Sequence, residues 1–359
     1  MTAGITVVVP TLGRPSLTVL LDALASGDPS ALPVEILVVD DRAERRDPLA
    51  APGAKVLTGR AAGPAAARNA GWRAAHSEWV AFLDDDVVPD SDWLVRLAAD
   101  LAAAGPDVGG VQGRIRVPLP AGRRPTDWER VTAGLADGEW ITADMAYRTA
   151  ALERAGGFDE RLPRAFREDA ELAHRVRAAG WRLVRGERTV THPVRPESRW
   201  ISLRTQRGNA DDALLRRLYG PRWREVLGVP PGRRHRHAAI TAAGVVALGC
   251  AASGWLTRRR TGVVNRVTRD LGVVVGTKRY EARVRPTTTP RSRGFRRRVW
   301  YVAAAAAGTA WLAGTAEFAA ARIAPGPRDR AEVITMVATS VAIPPVATVH
   351  WLRGWWRWR

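Results

Sequence analysis

Three consecutive aspartates, Asp84–Asp86, follow the apolar run Trp79–Leu83. Such a run is typical of a buried strand, and ligand sites of open α/β sheets lie just beyond the carboxyl ends of their strands. Carboxylates crowded at a strand end repel one another unless a cation neutralises them, and their oxygens suit Mg²⁺ or Mn²⁺. The pattern therefore indicates a divalent-metal site. The alternative is a solvated turn whose acids cap the following helix.

A second pair of carboxylates ends another predicted strand, since Asp40 and Asp41 follow the β-branched run Val34–Val39. An earlier run, Ile5–Val9, predicts the first strand, and segments with helical spacing separate these strands. Strands that alternate with helices predict an α/β fold with a mostly parallel sheet flanked by helices. The carboxylates of both strand ends would then lie along one edge of that sheet.

A glycine-containing loop, residues 59–64, opens the predicted helix 65–76. Loop amides and a helix N-terminus can face a phosphate, and Arg68 on this helix would add positive charge. However, an arginine on an alanine-rich helix is more often a solvated surface residue. The segment alone leaves both interpretations open.

Two acids and a histidine form a second group in the chain. Glu168 and Asp169 open a predicted helix, where the helix dipole favours acids whether or not they do chemistry. His192 follows a predicted strand and precedes a proline. Taken singly, these residues are more typical of helix caps and of a structural histidine than of a reactive site.

Taken together, the motifs resemble family 2 glycosyltransferases, the inverting nucleotide-sugar enzymes of the GT-A fold. The matching segments are VVVPTLGRP near the start, the strand ending in Asp40 and Asp41, Ala67–Gly71, FLDDD with Pro89, GGFDE, Glu168 and Asp169 with Leu172 and Arg175, Gly180–Trp181, and His192. Each is short, but their order and spacing extend over residues 4 to about 195. The resemblance implies a Rossmann-like GT-A domain, which we place at residues 1–225.

The resemblance also implies a role for each site residue. Asp84 and Asp86 would hold Mn²⁺ or Mg²⁺ against a diphosphate, and His192 would complete the metal shell. Asp169, with Glu168 beside it, would be the general base. The residues expected at the nucleotide are Pro10, Thr11, Asp40, Asp41, Arg68 and Asp85. A metal that neutralises the leaving group and a base on the opposite face are what an inverting transfer requires.

One motif departs from the pattern of processive polysaccharide synthases. Arg199 and Trp200 resemble the end of their Q-x-x-R-W motif, but Pro196 stands where the glutamine should be. We therefore predict the transfer of one sugar per acceptor.

Composition limits the remaining possibilities. The formal net charge is +19, which is compatible with nucleic acid, an anionic membrane surface or phosphorylated substrates. Cys250 is the only cysteine, so an intramolecular disulfide and a cysteine zinc cluster are excluded. The N-terminus lacks the basic region of a signal peptide, so we expect the N-terminal half to remain in the cytoplasm.

The C-terminal part, residues 226–359, is predicted to be a basic, helical membrane-associated region. Segments 299–321 and 333–352 are expected to form a hairpin with both ends cytoplasmic, because arginines flank it and tryptophans cluster at its ends. Segment 238–256 is basic on both sides, which favours a re-entrant or surface-lying helix that continues through 263–275. The alternative is a set of buried helices in a soluble domain.

These features predict an inverting glycosyltransferase at the cytoplasmic face of the membrane. It would move one sugar from a nucleotide-diphosphate sugar to a lipid-linked or cell-envelope glycan acceptor, without nucleic acid as a partner. The alternatives are glycosylation of a small soluble metabolite, a catalytically inactive scaffold, and a basic membrane protein that binds nucleic acid. The last is disfavoured because no nucleic-acid motif is recognisable and the arginines lie beside apolar segments.

Overall fold

A computed structural model describes residues 2–270 and 290–359, with side chains described for 4–258 and 295–359. The strands are β1 (Thr2–Thr11), β2 (Val34–Asp40), β3 (Lys55–Thr58), β4 (Ser77–Leu83), β5 (Val88–Pro89), β6 (Val108–Arg116), β7 (Asp144–Arg148) and β8 (Arg182–Thr191). The helices are α1 (Ser16–Ser26), α2 (Pro64–Ala74), α3 (Trp93–Ala102), α4 (Asp127–Ala133), α5 (Thr149–Ala155), α6 (Glu168–Ala178), α7 (Ile201–Arg204), α8 (Asn209–Tyr219), α9 (Trp223–Val226), α10 (Arg234–Asp270), α11 (Pro290–Ile323) and α12 (Arg330–Arg357).

The strands form one sheet in the order β3-β2-β1-β4-β7-β6-β8-β5. Strands β3, β2, β1 and β4 are parallel, as are β6 and β8, whereas β7 runs antiparallel to both of its neighbours. The α/β fold with flanking helices is confirmed, and the sheet is mixed. Strand β7 was not predicted, because its five residues carry no clear alternating pattern.

Helices cover both faces of the sheet because side chains alternate along each strand. Val7 and Val9 of β1 pack into one apolar cluster with residues of α1 and α3, while Val8 packs into a second cluster with residues of α2 and α6. The strand ends therefore stand on a sheet that is packed from both sides.

The registers of the strands align their carboxyl ends. Thr11 at the end of β1 pairs with Asp40 at the end of β2, and Leu83 at the end of β4 pairs with Asp144 of β7. Because β1 lies between β2 and β4, the acids that follow β2 and β4 lie on the same edge, as the alternation of strands and helices predicts.

The chain divides into two compact units. The first comprises Met1–Gly232, Pro325–Pro327 and His350–Arg359. The C-terminal segment of this unit packs closely within it: Trp358 lies against the apolar cluster that includes Leu214 and Trp223, and a Cβ on Gly354 would lie 2.3 Å from the carbonyl oxygen of Ala210. The predicted boundary at residue 225 stays a prediction.

The second unit comprises Arg233–Ala324 and Arg328–Val349. In it, α10 packs along α11 through small residues, since Gly244 lies against Trp311 and Gly254 against Tyr301. Among the described residues, two helical segments are long and apolar enough to cross a membrane, Arg234–Arg258 and Arg330–Arg357. Two expectations for this region stay predictions. One is the hairpin formed by 299–321 and 333–352, and the other is the re-entrant or surface-lying position of 238–256. The expected continuation through 263–275 extends past residue 270 and so lies partly outside the described residues.

A buried ion cluster ties four elements of the first unit together. The Arg188 guanidinium, fully buried on β8, donates to Asp144 of β7 at 2.7 Å, to Asp100 of α3 at 3.1 Å and to the carbonyl oxygen of Val111 on β6 at 2.7 Å. The Trp93 indole donates to the other oxygen of Asp144 at 2.9 Å. The carboxylates of Asp144 and Asp100 both depend on the charge of Arg188, because an unpaired buried carboxylate is costly.

We expect Arg188→Met to destabilise the first unit by about 3–5 kcal/mol, because it leaves Asp144 buried and uncompensated. The free energy of unfolding of the purified chain in urea measures this loss. Arg182→Met is the matched control, since Arg182 pairs with Asp107 where both side chains are more than half exposed, and it should change little. Equal losses in the two variants would contradict the assigned role of Arg188.

Candidate active site

The structure brings together the three metal ligands that the resemblance implies. Asp84, Asp86 and His192 each offer one donor atom, and these atoms lie within 4.8 Å of one another. Asp84 is partly exposed, whereas Asp86 and His192 are buried. Two carboxylate oxygens and an imidazole nitrogen form a donor set that suits Mn²⁺ or Mg²⁺. A divalent cation therefore fits between these residues.

A very short strand places His192 beside Asp86. Residues Val88 and Pro89 of β5 pair antiparallel with the end of β8, so that Val88 lies opposite Thr191. The acids before β5 and the histidine after β8 then approach each other, with the Nε2 atom of His192 at 3.5 Å from Asp86. The backbone N–H of His192 donates to the carbonyl oxygen of Arg116 at 2.7 Å and fixes this turn.

Arg68 connects the metal side of the site to the acids of α6. Its side chain is 2% exposed; one terminal nitrogen donates to Asp84 at 2.7 Å and the other to Glu168 at 2.8 Å. Its guanidinium also lies over the Phe158 ring, 5.6 Å from the centroid. The interpretation of Arg68 as a solvated surface residue is wrong, because α2 packs its face against β1 and turns this side chain inward.

Glu168 and Asp169 lie at the start of α6 but do not serve as simple caps. The Glu168 carboxylate is bound by Arg68, and burial, reinforced by the neighbouring Asp169 charge, raises the pKa of Glu168 to about 7. Burial also raises the pKa of Asp169, although the N–H of Ala170 donates to this carboxylate at 2.7 Å. Two adjacent carboxyl groups with raised pKa values next to a metal-binding cluster can hold or accept a proton.

Asp86 has a cationic partner that the sequence analysis did not identify. The Nε atom of Arg195 lies 3.0 Å from the Asp86 carboxylate. Burial and the Asp84 charge raise the pKa of Asp86, while His192 and Arg195 act in the opposite direction. Arg195 is three residues after His192, in an irregular segment whose sequence gives no indication of what it contacts.

The acids after β2 face the loop that opens α2. One oxygen of Asp41 accepts from the N–H of Gly63 at 2.9 Å, and the other, Oδ1, is buried without a hydrogen-bond partner among the described residues. Gly63 has φ +95°, and a Cβ there would lie 2.1 Å from the carbonyl oxygen of Pro163, so glycine is required. Asp41 therefore presents a buried acceptor that can receive an N–H or O–H donor.

Asp40 is already occupied by arginines. Arg42 donates to both of its carboxylate oxygens, at 2.9 and 2.8 Å, and this hydrogen bonding holds the pKa of Asp40 below its usual value. Arg45 donates to the Asp40 carbonyl oxygen at 3.0 Å. Pro10, which pairs with Val39 in the sheet, lies half-buried beside this group.

Asp85 points back into the domain rather than toward the metal cluster. Its two oxygens accept from the Thr11 hydroxyl at 2.6 Å and from Arg14 at 2.7 Å. Thr11 also accepts from the N–H of Gly13 at 2.9 Å. Asp85 thus fixes the loop after β1, and a nucleotide role for Asp85 or Thr11 stays a prediction. Arg14 is a second site residue that the sequence analysis missed, although it lies within the VVVPTLGRP motif.

The profile of a family described as Glycosyl transferase family 2 matches residues 6–152. A pre-mycofactocin glycosyltransferase of Mycobacterium tuberculosis is 36% identical over 135 residues, which cover 34% of this chain and 28% of that relative. The chain thus spans less than a third of the length of this relative.

Two solved structures are similar to this chain. A mannosyltransferase from Pyrobaculum calidifontis in complex with GDP-Man and Mn²⁺ is 18% identical, covers 98% of this chain and 88% of its own, and has a TM-score of 0.49. S. aureus TarS 1-349 in complex with UDP-GlcNAc is 20% identical, covers 62% of this chain and 70% of its own, and has a TM-score of 0.41. The similarity to glycosyltransferase family 2 therefore lies in residues 6–152, the part of the chain that carries the metal-binding aspartates Asp84 and Asp86.

Proposed function

We propose that this protein is an inverting, metal-dependent glycosyltransferase. It moves one sugar from a nucleotide-diphosphate sugar to a lipid-linked or cell-envelope glycan acceptor at the cytoplasmic face of the membrane. The observation that carries the proposal is the convergence of Asp84, Asp86 and His192 within 4.8 Å at the carboxyl edge of the sheet. The match of residues 6–152 to the profile of glycosyltransferase family 2 supports the same activity.

The diphosphate of the donor would bind at the metal-binding residues Asp84, Asp86 and His192. These residues would hold a divalent cation, which would stabilise, as a Lewis acid, the negative charge that develops on the leaving group. Arg68 holds Asp84 in place, and Arg195 adds a positive charge beside Asp86. Asp41, with its unsatisfied Oδ1 atom, would accept a hydrogen bond from the nucleoside.

Asp169 would act as the general base. In the transfer, the acceptor oxygen bonds to the anomeric carbon while the bond from that carbon to the diphosphate breaks, and its electron pair leaves on the nucleoside diphosphate. Asp169 takes the proton of the acceptor hydroxyl. Burial raises the pKa of Asp169, which makes its carboxylate a stronger base than a solvated aspartate.

Exposed apolar surface on α10 supports a membrane location. Leu248 is 73% exposed and Val245 64% exposed, within a segment long and apolar enough to cross a bilayer. A core helix of a soluble domain would bury such residues, whereas lipid covers them. The arginines that flank the apolar segments favour a cytoplasmic side for the catalytic domain.

We expect two site substitutions to separate metal binding from proton transfer. Asp86→Asn should weaken Mn²⁺ affinity by roughly 10²-fold or more, because it removes a ligand. Asp169→Asn should keep donor binding but lower transfer by about 10²- to 10⁴-fold. The measurement is metal-dependent consumption of a panel of nucleotide sugars by the full chain in detergent with membrane lipid extract, and calorimetry with each donor.

Asp107→Asn, an exposed change away from the cluster, is the control for these two variants and should behave as the wild type. If the wild type consumes no donor, or if both site variants retain full activity, the proposed function is wrong.

We expect Arg195→Gln to bind Mn²⁺ several-fold more tightly than the wild type when no nucleotide is present. The reason is that the Arg195 guanidinium competes with the metal for Asp86. Titration of the metal by calorimetry measures this effect. Arg199→Gln, which changes an arginine of the same segment, is the control. Weaker Mn²⁺ binding in Arg195→Gln would show that Arg195 supports the metal site instead of competing for it.

The buried Glu168 predicts a pH dependence of stability. Its pKa of about 7 lies above the value of 4.5 expected in the unfolded chain, so the folded state binds the proton more tightly. The contribution of Glu168 to the free energy of unfolding should therefore rise as the pH falls from about 7 toward 4.5, and it should be lost as the pH rises through 7.

Comparison of the wild type with Glu168→Gln by urea unfolding at several pH values, without metal, isolates this contribution. The difference between the two proteins should change between pH 5 and 7, whereas Glu44→Gln at an exposed position should show no such change. A difference independent of pH would refute the raised pKa.

A further inference from the structure

Arg167 has a backbone conformation that arginine rarely adopts. Its φ is +75° and its ψ −9°, in the left-handed region, at the position just before Glu168 and Asp169. A residue with a Cβ atom is strained there, whereas glycine is not, and asparagine tolerates the region better than most residues. Strain of this kind concentrates at functional sites, where the side chain has a use that offsets it.

The side chain of Arg167 is poorly satisfied. Its Nε atom is shielded from solvent and has no hydrogen-bond partner among the described residues. The nearest carboxylate oxygen, on Asp212, is 4.0 Å away, and Arg224 already forms an ion pair with that group. The guanidinium lies over the Phe166 ring at 4.6 Å, and the side chain is 23% exposed. The Arg167 side chain is thus held in place and partly desolvated, and its exposed part can still contact a ligand.

Positive charge exceeds negative charge around this arginine. Arg167 and Arg224 face Asp212, while Arg164 pairs with Asp211 at 2.6 Å and Arg357 also acts on Asp211. Four guanidinium groups therefore face Asp211 and Asp212, and Asp169 is a third carboxylate whose charge acts on Arg167. The remaining excess of positive charge favours an anionic ligand such as a phosphate group, which carries about −1.5 to −2 at neutral pH.

The position of Arg167 relative to the proposed base, Asp169, indicates whether Arg167 contacts the donor or the acceptor. Arg167 adjoins Asp169 through Glu168 and is close enough for its charge to act on the Asp169 carboxylate. The proposed donor contacts lie elsewhere, at the metal cluster and at Asp41. An anion bound at Arg167 would therefore belong to the molecule whose hydroxyl reaches Asp169.

We propose that Arg167 binds a phosphate group on the acceptor and thereby places the acceptor hydroxyl at Asp169. The inference rests on the proposed function, because it assigns the acceptor side of the same site. A guanidinium suits this role, since its planar N–H groups bind phosphate oxygens in pairs. The phosphate could come from a lipid headgroup or from a soluble phosphorylated acceptor, and Arg167 would recognise the chemistry that they share.

The test compares the binding of farnesyl phosphate, farnesol and inorganic phosphate to the full chain in detergent micelles by calorimetry. The wild type should bind farnesyl phosphate roughly tenfold or more tightly than farnesol, and Arg167→Asn should abolish this preference. The melting temperature of Arg167→Asn should equal or exceed that of the wild type, because asparagine relieves the backbone strain. A merely structural arginine would lower it instead.

Two further variants make the result specific. Arg167→Gly removes the strain and the charge together and should repeat the effect of Arg167→Asn on farnesyl phosphate. Arg161→Gly, in the same loop, removes an exposed arginine that pairs with Asp159 and should leave all binding unchanged. If farnesyl phosphate and inorganic phosphate both depend on Arg167 for binding and bind equally tightly, that result would support a soluble phosphorylated acceptor.

The proposal is overturned if the wild type shows no preference for phosphate probes, or if the preference survives in both Arg167 variants. It is also overturned if Arg167→Asn weakens nucleotide-sugar binding as much as farnesyl phosphate binding, since Arg167 would then serve the donor. Donor consumption by the wild type is measured separately. If the wild type consumes no donor but still binds phosphate through Arg167, the proposed transfer reaction is refuted and the phosphate site is not.

Discussion

Arg68 is enclosed between two carboxylates that come from distant parts of the chain, Asp84 after β4 and Glu168 at the start of α6. Without a buried cation at this point, the two acidic groups would repel each other, and Glu168 would be a buried carboxylate without a cationic partner. The guanidinium instead fixes both at hydrogen-bond distance. The separation between the metal cluster and the proposed base is therefore set by one side chain, which is in turn held by the packing of α2 against β1.

Other buried acids of the sheet and its edge are also paired with arginines. Asp85 is neutralised by Arg14, Asp86 by Arg195, Asp40 by Arg42, and Asp144 by Arg188. These acids are buried or nearly so, and each has a guanidinium within hydrogen-bond or ion-pair distance. Arginine suits this use because it remains charged when buried and can donate to two oxygens at once. The high arginine content therefore has a structural role in the first unit that net charge alone does not reveal.

Much of the fold followed from sequence patterns. The apolar runs located β1, β2 and β4, two of which end in acids, and the order of short motifs indicated the metal ligands, which the structure places together. The partners of those acids could not be predicted, since Arg14 and Arg195 lie in irregular segments where no periodicity constrains the side chain. Arg68 was ambiguous because its helix is rich in alanine, and only tertiary packing decides which face is buried. β7 was missed because five residues give too short a pattern.

The position of His350–Arg359 in the chain affects how the first unit folds during synthesis. This segment belongs to that unit, with Trp358 against its apolar cluster, yet residues 233–349, which include α10, α11 and most of α12, separate it from Gly232. During synthesis, the ribosome must produce all three long helices before this piece becomes available. The unit therefore completes its packing through a contact of very high sequence separation, and such contacts form late in folding. Until then, the surface around Trp223 stays uncovered by Trp358.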